Sequence, residues 1–149
     1  MLKYPKMFRY FEKIKKEDTQ REFLTLEEVK RLRDVDFDER VKRAYLFSCF
    51  TGLRYSDIKL LKWGDMRDEN GRMFINIKQQ KTGQFVKIPL NVGALEHLPK
   101  DDRKDKNENV FSGIDGLARV NKCIRKGARI AGIEKHLSFH TARHTFATL

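Results

Sequence analysis

The chain has 149 residues, enough for one domain that buries a hydrophobic core. Hydrophobic residues make up 40% of it and charged residues 36%, a balance that excludes an intrinsically disordered chain. Its 32 Lys and Arg residues outnumber its 21 Asp and Glu residues, and the resulting net charge of +11 favours a polyanionic partner, either nucleic acid or an anionic membrane surface.

No apolar segment is long enough for a bilayer-spanning helix, and the longest apolar run, residues 44–50, contains a serine. The N-terminus has no apolar signal core and no small-residue cleavage site, so a cytoplasmic protein is expected. Cys49 and Cys123 lie far apart in apolar helical contexts, which predicts two reduced core thiols rather than a disulfide.

Residues 1–20 are basic and carry interspersed aromatic side chains without a clear helical period, so they are predicted to form a basic linker. The globular domain is predicted to cover residues 21–149. Its first helix begins at a capping box, in which the Thr25 hydroxyl accepts the backbone N–H of Glu28 and the Glu28 carboxylate reaches back to Thr25. The apolar face of this helix carries three residues: Leu26, Val29 and Leu32.

A second helix is predicted from about Asp38 to Thr51, with apolar residues dense enough for burial and Gly52 as its C-terminal stop. A short helix follows, capped by Ser56 or Asp57. It is expected to end near Trp63, a residue whose context indicates core packing rather than base stacking.

Two segments, 73–78 and 85–90, alternate between polar and apolar residues, and the residues between them favour a turn. This pattern predicts a β-hairpin that carries Lys81 near its tip. Asn91 is then predicted to cap a helix reaching about Leu98. His97 is expected on the surface of the protein.

The chain is predicted to be helical again from residue 116 to 130, with much of the positive charge of this helix on one side. Four of its residues form a candidate DNA-binding face: Arg119, Lys122, Arg125 and Lys126. A last helix, capped by Ser138, begins near His140. Together the elements predict an α+β domain that is mostly α-helical, with a small antiparallel β-sheet or hairpin.

Three histidines recur at a spacing of four, at His136, His140 and His144, which on one continuous helix would favour a metal site. Because Ser138 is predicted to start the last helix, His136 falls outside it, and no carboxylate accompanies the other two. We therefore predict no metal and no cofactor. His144 is expected to make a structural hydrogen bond.

Arg54 and Arg143 stand at places that suit an anion. Arg54 lies between the Gly52 helix stop and the start of the next helix, where backbone N–H groups and a guanidinium can point at one anion. Arg143 follows His140 by three residues, which places the imidazole and the guanidinium on one helix face. A single such arginine is most often a surface or ion-pairing residue, so the two gain meaning only as parts of one set.

As a set, these residues resemble a known family. Residues 52–57, Gly-Leu-Arg-Tyr-Ser-Asp, resemble the first arginine motif of the tyrosine recombinases, the phage-integrase family. Residues 140–148, His-Thr-Ala-Arg-His-Thr-Phe-Ala-Thr, are similar to that family's His-x-x-Arg box and its tail. Lys81 matches the position of the family's hairpin lysine, and residues 21–25 resemble the start of its catalytic domain.

The resemblance implies a tyrosine recombinase catalytic-domain fold and DNA recombination or integration, in which a tyrosine hydroxyl attacks a DNA phosphodiester and forms a phosphotyrosine. It implies that Arg54 and Arg143 hold the non-bridging phosphate oxygens, without a metal. It also implies that Lys81 protonates the leaving 5′-oxygen, that His140 assists proton transfer at the attacking hydroxyl, and that Asp57 positions the arginine-bearing turn.

The family's nucleophilic tyrosine lies beyond the His-x-x-Arg box, whereas all four tyrosines of this chain precede it: Tyr4, Tyr10, Tyr45 and Tyr55. We therefore expect a catalytic domain that lacks its C-terminal part and cannot cleave DNA by itself. Tyr45 is expected in the core of the second helix. The implied partner is double-stranded DNA, on which the full-length parent is expected to assemble as a multimer.

Three other functions fit parts of the sequence. A non-catalytic nucleic-acid binder would account for the net charge and the basic helix, but not for the grouping of motifs. A metal-dependent nuclease would need a cluster of carboxylates beside a histidine, which the sequence lacks. A membrane-surface protein would need a sustained amphipathic helix, which residues 1–20 do not encode.

Overall fold

A computed structural model describes residues 21–100 and 105–149, so the predicted basic linker, residues 1–20, lies outside the described part of the chain. The helices of the described part are α1 (Leu26–Asp34), α2 (Glu39–Thr51), α3 (Tyr55–Leu60), α4 (Val92–Glu96), α5 (Leu117–Ile130) and α6 (Thr141–Thr148). Its strands are β1 (Met66–Glu69), β2 (Arg72–Lys78) and β3 (Phe85–Pro89). The predicted α+β class is therefore confirmed.

α1 begins at the predicted capping box. The Thr25 hydroxyl accepts the backbone N–H of Glu28 at 3.2 Å, and the Glu28 carboxylate accepts that of Thr25 at 2.8 Å. Val29 and Leu32 are buried as predicted, whereas Leu26, in the first turn, is 49% exposed. Just before this helix, the backbone N–H of Leu24 donates to Thr145 Oγ1 at 2.9 Å, which joins the start of the domain to α6.

α2 is the central helix, and all the other helices pack against it. Asp38 caps its N-terminus by accepting the N–H groups of Arg40 and Val41. Gly52 ends it in the left-handed conformation, with φ of 71°. Tyr45 lies in the core as predicted, as does Cys49, which is a free thiol.

The three strands form one antiparallel sheet in the order β1-β2-β3. The predicted hairpin is its β2–β3 half, in which Ile75 lies opposite Ile88. β1 was not predicted because Met66 is its single buried residue, so the strand has no alternating pattern. The turn that follows it, Asn70-Gly71, has positive φ at both residues, and this dipeptide is the signal that could have revealed the strand.

Helix ends differ from prediction where backbone groups replace side-chain caps. α3 starts at Arg54 without a side-chain cap, so neither Ser56 nor Asp57 caps it. α3 also ends at Leu60, and Trp63, buried as expected, opens a separate turn of 3₁₀ helix. The N-cap of α6 is His140, and Ser138 contributes its backbone carbonyl rather than its hydroxyl.

The prediction that His97 lies on the surface is wrong. α4 ends at Glu96, earlier than predicted, and packs against α2. His97 is consequently only 7% exposed, and its ring stacks on the Phe50 ring with the centroids 5.8 Å apart. No helix in the described residues is long and apolar enough to cross a membrane.

Candidate functional site

A cleft of about 460 Å³ opens between the start of α3, the β2–β3 turn, α5 and the segment that leads into α6. All four predicted catalytic residues line it: Arg54, Lys81, His140 and Arg143. We call it the basic cleft. Two residues that were not predicted for the site, Tyr55 and Asn121, line it as well. Folding thus brings the predicted groups together from separate segments of the chain.

Arg54 reaches the cleft because the chain turns sharply between α2 and α3. Gly52 ends α2, and the carbonyl of Arg54 then accepts the N–H of Ile58 at 3.0 Å to start α3. Within the described residues, the Arg54 guanidinium makes no hydrogen bond and no ion pair. Its N–H donors are therefore available to a ligand in the cleft.

Arg143 is held from behind by the end of α2. Its Nε donates to the carbonyl of Gly52 at 3.0 Å, which leaves its two terminal amino groups for a ligand. Partial burial and then the charge of Arg54 lower the pKa of Arg143, while Asp57 acts in the opposite direction. The two guanidiniums therefore repel each other, and an anion bound between them would relieve that repulsion.

Lys81 lies in an exposed turn that is held in position by a hydrogen bond to α3. Asp57, on the first turn of α3, accepts the backbone N–H of Gln80 at 2.8 Å through Oδ1. Asp57 is only 3% exposed, and its Oδ2 has no hydrogen-bond partner among the described residues. Because Arg54 starts α3 and Gln80 precedes Lys81, this one carboxylate connects the segments that carry two of the predicted catalytic residues.

His140 lies at the N-cap of α6, with its ring edge-on to that of His144 at a centroid distance of 4.8 Å. Partial desolvation, followed by the charges of His144 and Arg143, lowers the pKa of His140 below its usual range. The neutral imidazole, which can accept a proton, is therefore favoured. The expected structural hydrogen bond of the His144 side chain is not found in the described part of the chain.

The two described tyrosines both use their hydroxyls inside the fold. Tyr45 is fully buried and hydrogen-bonded to Thr141 Oγ1 at 2.8 Å, and burial raises the pKa of Tyr45 well above its usual range. Tyr55 lines the cleft, but its hydroxyl donates to the carbonyl of Ile114 at 2.6 Å. Tyr4 and Tyr10 lie outside the described residues.

The predicted DNA-binding residues of α5 occupy different sides of that helix. Arg125 follows the cleft-lining Asn121 by four residues, so the two lie on one face, and Lys122 and Lys126 are exposed beside it. Arg119 instead turns toward the N-terminal side of α2, where its guanidinium lies 3.4 Å from the Asp38 carboxylate. Arg119 also donates to the carbonyl of Asp115 at 3.3 Å.

Among the described residues, no group of three or more His, Cys, Asp and Glu side chains could hold a metal ion. His140 and His144 are neighbours, while His136 lines a separate surface pocket together with Arg125 and Arg129. The donors that line the basic cleft are mostly cationic or amide groups, a chemistry that suits an oxyanion.

Comparison with known proteins identifies the family of this chain. The model of the phage integrase family matches residues 22–149. The chain belongs to the phage integrase family. This family member is 27% identical over 133 residues to a tyrosine recombinase of Pseudothermotoga lettingae. That match covers 85% of this chain and 46% of the relative, so the chain spans about half the length of that curated protein.

Solved structures share the fold of this phage integrase family member. The XerH site-specific recombinase in its pre-cleavage complex with difH superposes with a TM-score of 0.63 at 22% identity, over 85% of this chain and 42% of that one. The integrase from mycobacterium phage Brujita superposes with a TM-score of 0.62 at 25% identity, over 85% of this chain and 43% of that one. The lambda integrase catalytic core superposes with a TM-score of 0.59 at 21% identity, over 86% of this chain and 82% of that one. The predicted tyrosine recombinase catalytic-domain fold is therefore confirmed.

Proposed function

We propose that this chain binds a phosphodiester of double-stranded DNA in the basic cleft and that, in its full-length parent, the cleft supports strand cleavage and rejoining through a phosphotyrosine intermediate on a tyrosine outside this chain. One observation carries the proposal, namely that four groups suited to this chemistry line one cleft: Arg54, Lys81, His140 and Arg143. None of the four forms an ion pair within the described residues. The unpaired positive charges of Arg54, Lys81 and Arg143 favour the binding of an anion.

The two arginines stabilise charge on the phosphate. When a tyrosine hydroxyl attacks phosphorus, negative charge grows on the non-bridging oxygens of the transition state. Arg54 and the terminal amino groups of Arg143, which line the same cleft, donate hydrogen bonds to those oxygens. Because Arg143 Nε is bound to Gly52, its guanidinium is held in one orientation before the phosphate arrives.

The other two residues move protons. The tyrosine oxygen forms a bond to phosphorus as the bond from phosphorus to the 5′-oxygen breaks. His140, whose lowered pKa favours the neutral ring, takes the proton of the tyrosine hydroxyl. Lys81 gives a proton to the leaving 5′-oxygen, and Asp57 positions the turn that carries it. Rejoining reverses these steps, with a DNA 5′-hydroxyl as the attacking group.

The DNA backbone continues from the cleft along α5. Arg125 supports this path because it shares a helix face with Asn121 of the cleft, and Lys122 and Lys126 are exposed on the same helix. We assign Arg119 a smaller share of the binding energy, since Asp38 already neutralises part of its charge. We also propose that the parent protein assembles as a multimer on DNA, as lambda integrase does in its tetramer on a Holliday junction.

The 149-residue chain is proposed to bind DNA without becoming covalently attached to it. Tyr45 and Tyr55 direct their hydroxyls into the fold, and no tyrosine follows the box around Arg143. Incubation with a labelled, nicked DNA duplex, followed by denaturing electrophoresis, is expected to yield no protein–DNA adduct. A slowly migrating adduct would contradict this part of the proposal.

DNA binding by variants tests the function itself. We expect Arg54→Ala and Arg143→Ala each to weaken the binding of a fluorescent duplex of about 30 base pairs roughly tenfold, since each removes charge-assisted hydrogen bonds to a phosphate. Lys30→Ala, on α1 and away from the cleft, is the control and is expected to change affinity less than about twofold. A non-catalytic basic binder would instead lose affinity evenly over all three variants, and that result would overturn the proposal.

A further inference from the structure

Asparagine is an unexpected residue type at position 121 of α5. It lies in the interior of the helix, where asparagine is a poor helix former. It follows Leu117 by four residues, and both line the basic cleft from the same helix face. A helix former at this position would stabilise α5, so the asparagine points to another role for this side chain.

The carbonyl oxygen of the Asn121 amide makes a hydrogen bond within the fold. Its Oδ1 accepts the backbone N–H of Phe139 at 2.8 Å. Because a backbone N–H can only donate, this bond fixes which end of the amide is oxygen and which is nitrogen. Phe139 is itself anchored, at 1% exposure, with its ring edge-on to those of Tyr45 and Tyr55. The segment that presents His140 is thus attached to α5 through Asn121.

The nitrogen of the same amide makes no such bond within the described residues. Within the described residues Nδ2 makes no hydrogen bond, and it is not among the buried polar atoms that lack one. Since Oδ1 faces Phe139 and the side chain lines the cleft, the two N–H donors of Nδ2 are open to a ligand there. An amide adds hydrogen-bond donors without adding to the repulsion between Arg54 and Arg143.

We propose that Asn121 is a further phosphate-binding residue of the basic cleft, whose Oδ1 positions the His140 segment and whose Nδ2 donates to the bound DNA phosphodiester. This inference rests on the proposed function, because the ligand is the same phosphodiester. The single amide serves both tasks, so one side chain both supports the segment that precedes His140 and donates to the phosphate.

Substitution can separate the two halves of the amide. Asn121→Asp keeps an oxygen for the Phe139 N–H but replaces the donor by a carboxylate oxygen. Leu117→Asp is the matched control, because it places a carboxylate one turn away on the same face, at a residue that is 45% exposed. We expect Asn121→Asp to weaken binding of the duplex about tenfold, or ~1.4 kcal/mol, and Leu117→Asp no more than about threefold. Equal losses in the two variants would overturn the proposal.

A measurement on the unsubstituted chain keeps the test independent of variant folding. On titration of isotope-labelled protein with dimethyl phosphate, we expect the side-chain N–H resonances of Asn121 to shift together with the ring resonances of His140. A shift at His140 without one at Asn121 would overturn the role of Asn121 and leave the proposed function standing. If Arg54→Ala and Arg143→Ala also bind DNA normally, the proposed function fails instead.

Discussion

Asp57 is the residue on which the position of Lys81 most directly depends. Its Oδ1 accepts the N–H of Gln80 from a nearly fully buried site. We expect Asp57→Ala to lower the free energy of unfolding by about 1–3 kcal/mol, because the Gln80 N–H loses its acceptor and a buried space is left. Urea unfolding followed by circular dichroism measures this loss.

The control for Asp57 is an exposed aspartate that makes the same kind of bond. Asp68 Oδ1 accepts the backbone N–H of Gly71 at 2.8 Å in the β1–β2 turn. Water can replace this acceptor, so Asp68→Ala is expected to cost less than about 1 kcal/mol. Equal losses for the two alanine variants would contradict a special role for the buried carboxylate.

His97 gives the stability of the protein a pH dependence. Burial lowers the pKa of His97, so between its folded-state value and its usual value near 6.5 the unfolded chain binds the proton and the folded chain does not. Stability is therefore lost as the pH falls through this window. We expect the urea-unfolding free energy to fall as the pH is lowered through about 6.5, and His97→Gln to show a smaller drop.

His136→Gln is the comparison for this pH effect, since His136 is exposed. It should retain the wild-type drop. The pKa of His140 is also lowered, so part of the drop is expected to persist in His97→Gln. If His97→Gln loses as much stability on acidification as the wild type, burial of His97 is not the cause.

Single residues were predictable where a local pattern requires them. The Thr25 capping box and Gly52 depend on neighbours within four positions, and Arg54 is recognisable through the motif that contains it. His97 was misplaced because its burial comes from Phe50, which is distant in sequence. Asn121 gave no signal, since its hydrogen bond to Phe139 crosses from one helix to another segment.

At the scale of elements, the junction between α2 and α6 controls the arginine pair. Gly52 has φ of 71°, and a Cβ built there would lie 2.6 Å from the ring of Phe146 on α6. We expect Gly52→Ala to strain the backbone by about 1–2 kcal/mol and in addition to push α6 outward. Because Gly52 also accepts the bond from Arg143, DNA affinity should fall with stability.

Gly71→Ala separates the two effects of Gly52→Ala, which are backbone strain and a steric contact with Phe146. Gly71 has φ of 79°, but a Cβ there would meet no atom within 4 Å. It therefore carries the backbone strain without the steric contact, and it does not line the cleft. We expect Gly52→Ala to be the more destabilising variant by about 1 kcal/mol in urea unfolding and the only one of the two to weaken DNA binding. Equal unfolding free energies would contradict the contact with Phe146.

Elements with strong periodicity or clear end signals were predictable, and those without them were not. α2, α5 and the β2–β3 hairpin follow from apolar spacing and turn residues. β1 was not predicted because three of its four residues are exposed. Its pairing with β2 is the main reason that it is a strand. α3 starts without a side-chain cap because the backbone of Arg54 supplies the first acceptor.

At the scale of the whole molecule, the unpaired positive charge of the basic cleft should make stability depend on anions. Binding to the folded state alone raises its stability with ligand concentration. We expect about 50 mM inorganic phosphate to raise the melting temperature by roughly 2–4 °C relative to chloride at equal ionic strength. Differential scanning fluorimetry measures the shift.

Arg143→Ala distinguishes binding in the cleft from general salting-out by phosphate, which acts on any folded protein. Its phosphate-dependent shift should be smaller than that of the wild type, whereas Lys30→Ala should keep the full shift. An unchanged shift in Arg143→Ala would assign the effect to the solvent. The grouping of the four cleft residues was accessible to sequence reasoning only through the family resemblance, because no local pattern encodes contacts between such distant segments.

The hydrogen bond from the Leu24 N–H to Thr145 Oγ1 spans 121 positions of the chain and has a consequence for biosynthesis. A ribosome adds roughly 5–20 residues per second, so Thr145 is made several seconds or more after Leu24. Until α6 has left the exit tunnel, α2 lacks one of its packing partners and Arg143 cannot join Arg54. A nascent chain therefore cannot assemble the arginine pair of the basic cleft until α6 has emerged from the ribosome.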